Sequence, residues 1–152
     1  MAQETGGTGL GHRAISMERV EKGVFEVTNA RGGTMRIGGG DSADFTPVEL
    51  LLAALAGCSA IDVDILTSRR SEPTSFDVRA TATKVRDALG NHLSDPRVRY
   101  RIAFPAGPAG DAARSVLPDA VRRSHDRLCT VSRTVELPTP VAVSIDPEPT
   151  TG

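Results

Sequence analysis

Thr46–Leu66 reads TPVELLLAALAGCSAIDVDIL, and the interpretation of this stretch decides the fold. Leu50 to Cys58 contains no polar residue, and it is the longest apolar run in the chain. A surface helix shows a polar face every 3.6 residues; this one is apolar all round through its first turns. The stretch therefore predicts a central helix buried on most sides. Thr46 suits the N-cap, Pro47 the first helical position and Glu49 the capping-box position. The run is too short for a membrane span on this reading, and Asp62 and Asp64 follow it. Small residues (Ala53, Ala54, Ala56, Gly57, Ser59, Ala60) flank Cys58, so a second element is expected to approach closely there.

Working outward, Ala14–Val20, Val24–Asn29 and Thr34–Ile37 predict an antiparallel meander, with turns at Glu21-Lys22-Gly23 and Arg31-Gly32-Gly33. Gly38–Phe45 is the loop that feeds the helix, which is expected to end near Arg69 and Arg70. Phe76, Val78, Ala80 and Ala82 alternate with polar neighbours, and so do Val98, Tyr100, Ile102 and Phe104. Both stretches predict half-buried strands. Ala88–Pro96 is read as the loop joining them, and Pro105–Gly110 as a turn segment. Asp111–Leu128 predicts a helix interrupted or kinked at Pro118. Val135–Ile145, with Pro138 and Pro140, predicts an edge strand. The order is that of an α+β chain: residues 1–11 a disordered tail, 12–147 one domain, 148–152 a C-terminal tail.

Composition narrows the function. A net charge of −1 argues against nucleic acid or an anionic membrane as the main partner. Trp is absent and aromatics are 3%, which disfavours a base-stacking surface. MAQETGGTGLGHR lacks the apolar core of a signal peptide, so a cytoplasmic protein is expected. In that compartment two cysteines are more often free or redox-active than a structural staple.

Cys58 sits mid-helix in an apolar stretch, where free cysteine commonly just packs. Cys129 ends a helical stretch, before a polar segment. Spacing alone does not say whether the two meet. A reactive cysteine needs a thiolate, which a neighbouring cation favours. Arg36 is the first candidate for that cation and Arg31 the second, each set against the common fate of a solvated surface arginine. Asp62, four residues after Cys58, would oppose a thiolate if close; the alternative is that it marks the point where the helix reaches solvent. His125, four residues before Cys129, could take its proton or simply lie on a basic surface with Arg122, Arg123 and Arg127. His12, His92 and His125 lack metal-ligand spacing.

TPVELLLAALAGC resembles the helix carrying the first cysteine in the OsmC/Ohr family of thiol peroxidases, and LCTVSRTVE resembles the family's second-cysteine segment. The order of elements agrees from about residue 13 to 146. The resemblance implies an OsmC-like fold, antiparallel sheets around a long central helix, in an intimate homodimer with sites at the subunit interface. It implies Cys58 as the peroxidatic and Cys129 as the resolving cysteine, with Arg36 in the arginine role. A hydroperoxide would be the substrate, a dithiol, such as a lipoylated protein, the reductant, and no cofactor or metal would be needed. Three positions depart from the family pattern. Val48 stands where the hydroperoxide-reducing branches carry glutamate, with Glu49 next to it but out of phase on the helix; Arg36 matches its counterpart through a loop of different length; and Thr130 replaces a proline. Two other readings stand beside the peroxidase. One is a small-molecule-binding protein of the same fold with weak or absent catalysis. The other, ranked last, is a cysteine-nucleophile transferase or hydrolase using His125 as base.

Overall fold

A computed structural model describes residues 9–149. Expectations placed on residues 1–8 and 150–152 fall outside it. The chain forms two compact units. The first runs to Ala54 and resumes over Thr81–Pro96; the second takes Leu55–Ala80 and the chain from Arg97 onward.

In the first unit, β1 (Ile15–Glu21), β2 (Val24–Asn29) and β3 (Thr34–Ile37) form the expected antiparallel meander. Its register pairs Met17 with Val27 and Val27 with Met35, and β1 carries an irregularity between Arg19 and Glu21. The β2–β3 turn closes because Asn29 Oδ1 accepts the N–H groups of Arg31 and Gly33, while Gly32 takes φ 84°, which costs glycine nothing. Phe45 then makes a short parallel bridge to Ile37.

Helix α1 (Pro47–Ser68) begins in the first unit and continues into the second. Its start is a capping box. Glu49 Oε2 accepts the Thr46 N–H at 2.8 Å and the Thr46 hydroxyl at 2.9 Å, and the Glu49 N–H returns to Thr46 Oγ1 at 3.3 Å. The helix is less covered than its composition led us to expect. Leu55, Ser59, Val63 and Thr67 form a buried stripe at every fourth position. Leu51, Ile61 and Ile65 are exposed, Ile61 by 61%. By length and composition alone the 22-residue helix, with a mean hydropathy of 1.8 over its most apolar stretch, would be long and apolar enough to cross a membrane. What the stripe packs against is protein, as the polar contacts of Ser59 and Asp62 make plain below.

Strands β4 (Ser75–Asp87) and β5 (Gly90–Ala103) form a two-stranded sheet. The alternation read from Phe76–Ala82 and Val98–Ile102 is realised as half-buried and exposed residues in turn. The predicted Ala88–Pro96 loop is instead a short turn, with Gly90 at φ 96° and the Leu89 N–H on Asp87 Oδ1. Pro96 is tolerated inside β5 because a two-stranded sheet leaves one edge of each strand without a ladder to break.

In the second unit, α2 (Pro108–Arg123) starts three residues earlier than predicted, with Pro108 pre-set for the first turn. Pro118 lies inside α2 without ending it. Close approach fixes Gly110, where a Cβ would fall 1.8 Å from the Pro105 carbonyl oxygen. A π turn (Ser124–Leu128) follows, then α3 (Thr130–Glu136). The predicted Val135–Ile145 strand is absent. Val135 belongs to α3, and 137–149 carries no helix or strand, as Pro138 and Pro140 supply no N–H.

Two outcomes test this description. Gly110→Ala should lower unfolding stability by about 1–3 kcal/mol in urea titration, through overpacking against Pro105. Glu49 is held below the ordinary glutamate value, first by the Thr46 N–H and then by the Thr46 hydroxyl. A lowered folded value contributes stability that is complete above the unfolded value and disappears as pH falls through the folded one. Glu49→Gln should therefore flatten the stability profile on the acid side, below the usual carboxylate range, and an unchanged acid limb would contradict the capping role.

Candidate thiol site

The buried stripe of α1 places Cys58 one residue before Ser59, half-buried at the edge of the second unit's interior. Cys129 comes from the other end of that unit and is fully buried. Both are free thiols, and they are close enough for the Cys129 side chain to act on the Cys58 thiol. The structure thus brings together two residues that sequence spacing left unconnected.

Local structure explains where Cys129 points. The Cys129 N–H donates to the Ser124 carbonyl at 2.8 Å, an i→i+5 bond that closes the π turn. Cys129 leaves the turn extended, at φ −71° and ψ 100°, and caps α3. Its sulfur accepts the Ser132 N–H at 3.4 Å. The Val131 N–H, one residue away, acts on the Cys58 thiol and favours its ionised form.

Four side chains behind the thiols form a hydrogen-bonded chain that sequence reasoning missed apart from Asp62. The Tyr100 hydroxyl, on β5, donates to Ser59 Oγ. Ser59 Oγ and Ser124 Oγ are 3.2 Å apart, and Ser124 Oγ donates to Asp62 Oδ2 at 2.9 Å. Each hydroxyl has one proton, so the set is satisfied when donation runs from Tyr100 through Ser59 and Ser124 to the carboxylate. The Tyr100 ring packs edge-on against Phe76 of β4, centroids 6.4 Å apart. Asp62 is therefore an anchored group; the reading that it marks exposed helix is corrected.

Electrostatics follow from this arrangement. Burial pushes the Cys58 thiol above its ordinary value. The Val131 N–H pulls it down, while the Cys129 side chain and the Asp62 charge push it up again. Burial likewise raises Tyr100, opposed by its bond to Ser59 and reinforced by charge on Cys129, Asp62 and Cys58. The charges acting on Cys58 are those of Cys129 and Asp62, both negative when ionised, and they add to burial in disfavouring the thiolate.

Arg36, Arg31 and Glu49 belong to the first unit. Arg36 pairs with Asp44 (Nε–Oδ2 3.6 Å) and more loosely with Glu21 (3.9 Å). Arg31 is exposed in the β2–β3 turn, and Glu49 caps α1. His125 is exposed, with Nε2 3.2 Å from Glu136 Oε1. Its partner is thus a carboxylate on the surface, in line with the surface alternative. Among the described residues no group of three or more His, Cys, Asp or Glu could hold a metal.

A direct check is the pH dependence of Cys58 alkylation by iodoacetamide. Asp62→Asn removes a negative charge that disfavours the thiolate, so the midpoint should move to lower pH. An unmoved or higher midpoint would contradict the electrostatic assignment.

Comparison with known proteins places this architecture. The model of the OsmC-like protein family matches residues 38–144, which hold α1, both cysteines and all four residues of the polar chain. No curated protein sequence matches the chain. Among solved structures, an OsmC-like protein of unknown function from Vibrio cholerae aligns with a TM-score of 0.69 at 13% identity, covering 84% of this chain and 95% of the other. A hypothetical protein from Aquifex aeolicus aligns at 0.67 and 19% identity, covering 84% and 89%. The organic hydroperoxide resistance protein OhrB of Bacillus subtilis aligns at 0.53 and 13% identity, covering 82% and 90%. At these identities the structural likeness speaks for the fold. Together with the family match over most of the length, it settles membership: this chain belongs to the OsmC-like family, with that family's α+β fold.

Proposed function

We propose that the chain is a two-cysteine peroxidase for organic hydroperoxides or hydrogen peroxide, working in the cytoplasm in oxidative-stress defence. The observation that carries this reading is the contact between Cys58 and Cys129, in a family whose structural neighbours include organic hydroperoxide resistance proteins. The Cys58 thiolate attacks one oxygen of the O–O bond. Cys58 becomes a sulfenic acid, and the other oxygen leaves as alcohol or water after taking one proton. The Cys129 sulfur then attacks the Cys58 sulfur, the hydroxyl departs as water, and a disulfide forms. A dithiol, for which a lipoylated protein is suited, reduces it. No metal or organic cofactor takes part in these steps.

The upward push on the Cys58 thiol sets a requirement. A cation has to reach the thiol to favour its ionised form. We assign that role to Arg36, whose planar fork can serve Asp44 and a further anion together. The chain is proposed to act as a homodimer, which the exposed Leu51, Ile61 and Ile65 of α1 favour, since a second copy would remove them from water.

A second reading is a binding protein that keeps the fold and lacks efficient chemistry. The raised Cys58 thiol and the presence of Val48, with Glu49 committed to the helix cap, favour it. The two separate cleanly. Reduced protein should consume cumene hydroperoxide, Cys58→Ser should not, and Cys129→Ser should accumulate a dimedone-reactive sulfenic acid at Cys58. Consumption no faster than a free thiol, in a folded protein with both cysteines still reduced, would leave the binding reading in place.

A further inference from the structure

The polar chain behind the thiols is unusual in where its members come from. Ser59 and Asp62 are on α1, Tyr100 is on β5, and Ser124 opens the π turn. Ser124 is fully buried and acts in two directions. Its hydroxyl meets Asp62 at 2.9 Å and Ser59 at 3.2 Å, on the same helix as Cys58. Its carbonyl accepts the Cys129 N–H at 2.8 Å. One residue therefore ties the backbone of one cysteine to the helix that carries the other. The π turn matters here, because its i→i+5 bond lets a single residue present its hydroxyl to α1 and its carbonyl to Cys129.

We propose that Ser124, gripped by Asp62 and Ser59, is a positioning residue that sets the closeness of the two thiols and so the ease with which they join. The inference deepens the two-cysteine reading and rests on it for biological meaning. The geometric claim itself concerns two thiols and any oxidant. Disulfide closure needs both sulfurs within a narrow range of approach, and a shift of an ångström in a positioned group can change a rate or equilibrium by orders of magnitude. Without the Ser124 hydroxyl, α1 loses its hold on the turn and Asp62 loses its donor. Tyr100 completes the grip from β5 by keeping the Ser59 hydroxyl turned toward Ser124.

The test is thiol–disulfide equilibrium with reduced and oxidised glutathione, which needs no peroxide. In that exchange, two glutathione thiols and the Cys58–Cys129 disulfide balance one oxidised glutathione and two protein thiols, so the ratio measures the effective concentration of one cysteine toward the other. Ser124→Ala should lower that effective concentration by about tenfold or more. Asp62→Ala should do the same, while Asp62→Asn, which keeps an oxygen to accept the Ser124 hydroxyl, should hold it near the parent value. The Asp62 pair also carries the test if Ser124→Ala does not fold, as judged by circular dichroism. An effective concentration unchanged in folded Ser124→Ala, or equal in Asp62→Ala and Asp62→Asn, would overturn the proposal. A parallel arm treats the parent protein with cumene hydroperoxide. Failure of peroxide to oxidise Cys58 there would overturn the peroxidase reading, while the glutathione comparison would still decide the positioning claim.

Discussion

The hydrogen bond from Ser124 to Asp62 joins parts of the chain 62 residues apart, and the thiol site depends on it. It is part-buried and ends on a carboxylate, the kind of bond whose loss leaves a charged group without its partner. Around it, Ser59 and Tyr100 satisfy the remaining hydroxyls, so the interior behind Cys58 and Cys129 is polar but fully paired. Among the described residues no buried side-chain polar atom lacks a hydrogen-bond partner. A network of this kind fixes geometry more firmly than apolar packing does, because each donor has one acceptable direction.

The same network creates the site's chemical tension. Asp62 secures the turn that carries Cys129, yet its charge adds to burial in pushing the Cys58 thiol up. In the proposed mechanism, one arrangement thus favours the second step, joining the sulfurs, and disfavours the first, which needs a thiolate. The proposal that Arg36 supplies positive charge follows from this imbalance. So does the strength of the binding-protein reading, since a thiol left neutral is an ordinary packing group.

Much of the fold was legible because local physics and tertiary structure agreed. Thr46, Pro47 and Glu49 announced the start of α1, and the capping box formed as read. Strict alternation in Phe76–Ala82 and Val98–Ile102 announced two half-buried strands. The errors have local causes too. Val131 and Val135, four apart, carried the helical signal of α3, but the prolines that follow drew the stretch into a predicted strand. The site was legible only in part. Cys58 and Cys129 stood out by chemistry, but Ser59, Tyr100 and Ser124 are ordinary residues whose meaning lies in long-range pairing. The available signal was serine at a core position, since Ser59 interrupts the every-fourth stripe of Leu55, Val63 and Thr67. A hydroxyl on a buried stripe needs a partner, and that partner came from the other end of the unit.

The most direct test of the central claim, that Cys58 and Cys129 are one functional pair, is peptide mapping by mass spectrometry after one equivalent of organic hydroperoxide is added to the reduced protein. The account predicts a peptide linking Cys58 to Cys129, with loss of two hydrogens, within a single chain. Both cysteines recovered as free thiols, or Cys58 oxidised to sulfinic acid beside an untouched Cys129, would contradict it.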